Sequence, residues 1–137
     1  MKTKPELKLS EESASAELDK LIEYYEIDLD DLPPASKDSI DATMKKLVKF
    51  IRKGRLEINT EDGIQCIQTL RDGKTKITYK ELNGKAKIAM GSKIETDHHG
   101  RLFALLGALS DGETTITQLK GPDLSLVECL GGLFLLV

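Results

Sequence analysis

The chain of 137 residues has no tryptophan, and aromatic residues make up only 4% of it. Proteins that bind single strands of nucleic acid rely on stacking aromatics, so that class of function has little support here. Aliphatic side chains must supply most of the core, and a folded chain of this length should bury roughly two-thirds of its surface. The composition therefore indicates a small globular protein with an aliphatic core.

Side chains that could bind metal ions are equally sparse. Cys66 and Cys129 are the only cysteines and neither belongs to a CxxC pair, which argues against a disulfide framework and a structural zinc site. His98 and His99 are the only histidines, and adjacent residues of a helix point about 100° apart, so they cannot grip a metal as an i, i+4 pair does. We predict no bound metal and no cofactor.

Signals for membrane insertion or catalysis are also missing. The longest apolar run, LFLLV over 133–137, is too short to cross a bilayer, and no apolar segment of a signal peptide follows the first residues. The chain has no glycine-rich phosphate loop and no motif that places a nucleophile beside a base. We therefore expect a cytoplasmic protein without membrane contact that is not an enzyme.

Charge is present but unevenly distributed. Residues 6–31 carry ten acidic and two basic side chains, whereas residues 45–55 carry six basic and no acidic ones. Segments of opposite charge favour contacts within the chain or between copies of it, so a homo-oligomer is one expectation. The alternative is a nucleic-acid-binding regulator, which the shortage of aromatics disfavours. Its phosphate-binding residues would be Lys45, Lys49, Arg52 and Lys53.

Two amphipathic helices are predicted in the first part of the chain. Ser10 is a suitable N-cap for a helix over 11–27, in which apolar residues recur on one face. The segment 28–34 is acidic and ends in two prolines, so it predicts a linker. A second helix over 36–53 carries most of the basic residues, and Gly54 follows it as the expected C-cap.

A β-rich stretch follows the second helix. Asp72-Gly73 and Asn83-Gly84 are dipeptides that tolerate the positive φ of tight hairpin turns, so they predict an antiparallel meander. About four strands fit the alternation of apolar and polar residues. These strands are 55–59, 64–70, 75–82 and 85–90.

Helices resume near Asp97, where a leucine stripe predicts one helix, and Asp123 is the expected cap of a last helix. The expected fold class is α+β: an N-terminal helical pair, an antiparallel β-meander of about four strands, and two or three C-terminal helices that pack on one face. The predicted organisation is an acidic N-terminal helix and linker over 1–34 and an α+β domain over 35–137. That domain contains the helix 36–53, the strands within 55–90 and the helices within 97–137.

The most apolar segment of the chain is 129–137. Packing four of its side chains would stabilise a protein by roughly 6 to 12 kcal/mol before ordering costs, so water is an unfavourable environment for them. One interpretation is that they complete the core or an interface between copies, and the other is a docking surface for a partner helix. The predicted partner-binding residues are Leu124, Leu130, Leu133, Phe134 and Leu135.

Three short motifs follow one another in residues 74–137: a basic stretch, KITYKELNGKAKIAM, a leucine-rich helix, HGRLFALLGALSD, and a terminal helix that ends in Phe-Leu. Between the two helices lies an L-x-G-x-D-L passage, here Leu119 to Leu124. In these motifs and their order, residues 74–137 resemble the tail assembly chaperones of Mu-like and related long-tailed phages.

This resemblance implies a protein that binds the long helical tape measure protein, keeps its apolar surface from aggregating, and recruits tail tube subunits until the tube replaces it. Such a protein needs no cofactor and works in the cytoplasm of a bacterial host. A third hypothesis is a small virion structural subunit, in which the meander joins a ring by edge pairing.

Overall fold

The computed structural model describes residues 7–137, so the first six residues of the predicted N-terminal segment lie outside it. Residues 7–137 form six helices and three strands, and the predicted α+β class is confirmed. In chain order the elements are α1 (Glu11–Tyr24), α2 (Pro34–Arg52), β1 (Leu56–Asn59), β2 (Gln65–Thr69), β3 (Lys76–Tyr79), α3 (Gly84–Gly91), α4 (His98–Leu109), α5 (Glu113–Thr117) and α6 (Pro122–Phe134).

Helix α1 begins as its sequence predicts. The Ser10 hydroxyl accepts a hydrogen bond from the backbone N–H of Ser13 at 3.1 Å, which satisfies one of the free donors of the first turn. The helix ends at Tyr24, three residues before the predicted end, because Glu26 has a positive φ of 54° that a helix cannot contain. Its buried residues, Ala14, Leu18 and Leu21, belong to the same core as the rest of the chain, and α1 contacts both α2 and β1.

Helix α2 starts two residues earlier than its sequence predicts. Pro34 occupies the first turn, where the missing N–H of proline costs nothing, so Ser36 already lies inside the helix. The helix ends at Arg52, one residue before the predicted end. Gly54 follows with a φ of 74°, as expected of a glycine at a helix C-terminus, and the backbone N–H of Arg55 donates to Phe50 O at 2.9 Å. Leu47 and Ile51 are the fully buried residues of this helix.

The three strands form an antiparallel sheet in the order β1-β2-β3. Cys66 in the central strand is opposite Ile58 on one side and Tyr79 on the other. The buried face also contains one polar residue, Gln68. Its Nε2 donates a hydrogen bond to Asp123 O at 2.9 Å, and its Oε1 accepts one from the Tyr79 hydroxyl at 2.7 Å. Because both ends of this amide are paired, it ties the sheet to α6 without an unsatisfied polar group.

The fourth predicted strand is wrong: 85–90 lies within helix α3. The Asn83-Gly84 dipeptide, interpreted above as a hairpin turn, starts this helix instead. Asn83 is the N-cap, and its side-chain oxygen accepts the backbone N–H of Ala86 at 3.0 Å. In this helix Ala86 is completely buried whereas Ile88 is 75% exposed, so the two do not share a face as they would in a strand.

The Asn83 cap provides a first test of this correction. Asn83→Ala removes the side-chain acceptor, and we expect the free energy of unfolding to fall by about 1 kcal/mol, with faster amide exchange in 84–91. Denaturant unfolding and hydrogen exchange measure the two effects. Asn83→Asp keeps an acceptor at the same place and should cost much less, so equal losses from both substitutions would contradict the capping role.

Helices α4 and α6 complete the core. Helix α4 begins at His98, near Asp97 as predicted, and Asp97 caps it by accepting the Gly100 N–H at 3.0 Å. The N–H of Lys80 donates to Leu109 O at 2.9 Å, which ties α4 to the end of β3. Helix α6 contacts both α2 and α4. It begins at Pro122 after Gly121, so Asp123 lies in its first turn and is not its predicted cap.

Candidate protein-binding surface

Three of the five predicted partner-binding residues lie inside the protein's own core. Leu130 and Leu133 have no exposed surface, and Phe134 is 2% exposed. The Phe134 ring packs edge-on against the ring of Tyr25, with centroids 5.6 Å apart. In this fold these three side chains hold α6 between α2 and α4, so direct contact with a partner is left to the other two predicted residues.

Those two residues have accessible surface. Leu124 in the first turn of α6 is half-buried, and Leu135, directly after α6, is 54% exposed. Leu135 lines a shallow hollow of about 220 Å³ together with His98, Leu102 and Glu128. The sequence analysis therefore singled out one apolar side chain at this end of the molecule that is strongly exposed, Leu135.

Two further exposed apolar residues were missed by sequence reasoning. Ile88 on α3 is 75% exposed, and Ile94, in the segment between α3 and α4, is 72% exposed. The strand interpretation placed Ile88 on the buried face of the meander, whereas a helix with Ala86 and Met90 turned inward places it outside. The helical signal that could have identified it was the Asn83 cap.

Hydrogen bonds connect chain neighbours of these exposed residues. Lys87, next to Ile88, donates through Nζ to Val137 O at 3.2 Å, two residues beyond Leu135. Arg101 donates to Lys93 O at 3.4 Å, next to Ile94, and it lines the same hollow as Leu135. We name Ile88, Ile94 and Leu135 the apolar patch.

Side chains of both charges border the apolar patch, and its basic part lies on α3. Lys85 and Lys87 are exposed on α3. Lys93 forms an ion pair with Glu113 at 3.1 Å, and the His99 ring lies 3.8 Å from the Glu128 carboxylate. Beside α3, a partner would therefore match this surface best with apolar side chains flanked by acidic ones.

The buried thiols have little capacity for chemistry. Burial raises the pKa of Cys66 to about 12, and burial also raises the pKa of Cys129. A thiol with a raised pKa holds almost no thiolate near neutral pH, and the thiolate is the nucleophile. Within residues 7–137 no group of three or more His, Cys, Asp or Glu side chains could hold a metal ion.

None of the helices in the described part of the chain is both long enough and apolar enough to cross a membrane. Comparison of the chain with protein-family models, curated proteins and solved structures found no match.

Proposed function

We propose that this protein is a tail assembly chaperone of a long-tailed phage, which binds the tape measure protein and tail tube subunits while the tail is built. The observation that carries the proposal is the apolar patch. All three of its residues lie within 74–137, the part of the chain that resembles these chaperones. Large apolar side chains that are more than half exposed leave burial energy unused, and full burial of each is worth about 1.5 to 3 kcal/mol.

The contact would follow the rules of helix recognition. A long helical partner presents apolar side chains at i, i+3 and i+4, and the exposed apolar residues of the chaperone would pack against such a stripe. The lysines of α3 at its border would set the orientation of the partner through its acidic residues. A small contact of this kind dissociates readily, which lets tube subunits replace the chaperone.

The predicted partner-binding residues that are buried would then contribute to binding only indirectly. Leu130, Leu133 and Phe134 fix α6 in the core, and the end of α6 positions Leu135. Substituting them would therefore unfold the protein before it weakened a specific contact. Only substitutions at the exposed residues can separate binding from folding.

The proposal is tested by co-expression with the tape measure protein encoded in the same genome. We expect the chaperone to raise the soluble yield of the tape measure protein and to co-purify with it. Ile88→Asp combined with Leu135→Asp should lower the co-purified amount about tenfold or more, because each change places a carboxylate in an apolar contact. The amount is read by densitometry after affinity capture.

A matched control is Leu7→Asp, which makes the same chemical change at a residue that is 49% exposed and lies on the segment before α1. It should leave co-purification unchanged. If the soluble yield of the tape measure protein does not change with the chaperone present, or if Leu7→Asp lowers binding as much as the patch substitutions, the proposal fails.

A further inference from the structure

A groove runs along α1 and α2, on a different part of the surface from the apolar patch. It has a volume of about 460 Å³. Met44 and Val48, both half-buried, form its apolar floor, and Lys45, Lys49 and Arg52 also line it. We name this feature the α1–α2 groove.

The groove exists because the apolar stripe of α2 is wider than the surface that covers it. Leu47 and Ile51 are fully buried in the core. Met44, three residues before Leu47, and Val48, one residue after it, remain partly accessible. Residues four apart on a helix lie on the same face, so these two form a continuous apolar strip. Two accessible apolar side chains in a concave surface are a feature of helix-binding grooves.

The length of the groove fits a short helix. Its lining residues on α2 extend from Asp41 to Arg52. At a rise of about 1.5 Å per residue this distance is roughly 16 Å, which corresponds to about three turns of a helix. A partner helix of that length would present two or three apolar side chains to the floor.

The charges that line the groove favour a partner with negative charge. Lys45, Lys49 and Arg52 follow one another at spacings of four and three, so they form a row along one side of α2. In the part of the chain that the structure describes, neither Lys45 nor Lys49 is in an ion pair. The Arg52 side chain donates one hydrogen bond there, through Nε to Leu9 O at 3.2 Å. The acidic lining residues, Glu11 and Asp41, are one fewer than the cations.

We propose that the α1–α2 groove binds an acidic amphipathic helix of a partner protein. The apolar stripe of that helix packs on Met44 and Val48, and its carboxylates lie along Lys45, Lys49 and Arg52. An apolar floor favours this occupant over nucleic acid, whose phosphates would leave the floor uncovered. A second copy of this chain is also a poorer fit, since α1, its most acidic helix, has its apolar face buried in its own core.

The test uses the full chain and two synthetic helical peptides of about 14 residues. Both peptides carry leucines at i, i+3, i+4 and i+7; one has glutamates beside the leucines and the other has lysines at the same places. Fluorescence anisotropy should show at least about tenfold tighter binding of the acidic peptide, with affinity that falls as salt is added. Lys45→Glu combined with Lys49→Glu should remove this preference or reverse it, and Val48→Asp should weaken the binding of both peptides.

Two controls keep the result interpretable. Lys74→Glu combined with Lys76→Glu makes the same change of charge at exposed positions of the β2–β3 hairpin and should leave binding unchanged. Unfolding midpoints show whether Val48→Asp is folded; if it is not, the charge-reversal pair decides alone. Failure of both peptides to bind, equal losses from the two lysine pairs, or binding of duplex DNA in place of the acidic peptide would each overturn the proposal. So would self-association that Lys45→Glu with Lys49→Glu abolishes while no peptide binds.

Discussion

Phe134→Ala is expected to lower the free energy of unfolding by about 3 to 5 kcal/mol, a large part of the stability of a domain of this size. The phenyl ring is 2% exposed, so its removal loses burial energy and leaves a cavity. It also removes the edge-on contact with Tyr25, whose hydroxyl accepts the Leu82 N–H at 3.0 Å. The substitution therefore loosens the joint between α6, the end of α1 and the segment after β3. Denaturant unfolding measures the loss.

Leu135→Ala is the matched control for this prediction. Leu135 follows Phe134 directly and is 54% exposed, so its truncation should change the free energy of unfolding by less than about 0.5 kcal/mol. The pair separates the two roles that the sequence could not separate, namely core and contact surface. Equal, small effects of both substitutions would mean that Phe134 is not in the core, and would restore the interpretation in which it contacts a partner.

The helices were the most predictable part of the fold. Apolar residues at helical spacing, the Ser10 cap and the Gly54 stop are local signals, and the structure confirms each of them. The predicted end of α1 was wrong because a single backbone angle determines it. Glu26 ends α1 early through a positive φ, a conformation that no general propensity of glutamate predicts.

The fourth strand shows where local signals compete. Asn-Gly is favoured in a hairpin turn and Asn is also favoured as a helix N-cap, so Asn83-Gly84 is consistent with both. The alternation of lysine with Ala86, Ile88 and Met90 then favoured a strand. The core decides otherwise: in helix α3 the completely buried Ala86 and the half-buried Met90, four residues apart, share one face, and α3 packs on α4.

The candidate surface was only partly predictable for a related reason. Helix α6 is apolar on nearly all sides, and a helix of that kind is normally covered from more than one direction. Its sequence cannot show which elements cover it, and the contacts with α2 and α4 are between residues far apart in the chain. Exposure of Leu135 and burial of Phe134 follow from that packing, because the last turn of α6 ends between them.

The close packing of α5 on α4 predicts a large effect on stability when a glycine of α4 is substituted. Gly107→Ala is expected to lower the free energy of unfolding by about 1 to 3 kcal/mol, although alanine is intrinsically the better helix former by up to about 1 kcal/mol. A Cβ atom at Gly107 would lie 2.5 Å from the backbone nitrogen of Glu113 and 2.9 Å from Gly112 C. Backbone atoms cannot turn aside as a side chain does, so the start of α5 must move.

The conformation of Gly112 makes that movement costly. Its φ of 121° is one that residues with a side chain rarely adopt, and it sets the turn between α4 and α5. We therefore expect Gly107→Ala to increase hydrogen exchange in 110–118 in addition to lowering stability. Gly132→Ala is the matched control, because Gly132 is also inside a helix and a Cβ there would meet no atom within 4 Å. It should raise the free energy of unfolding by about 0.5 to 1 kcal/mol. If Gly107→Ala stabilises the protein as Gly132→Ala does, α5 does not pack against α4 at this point.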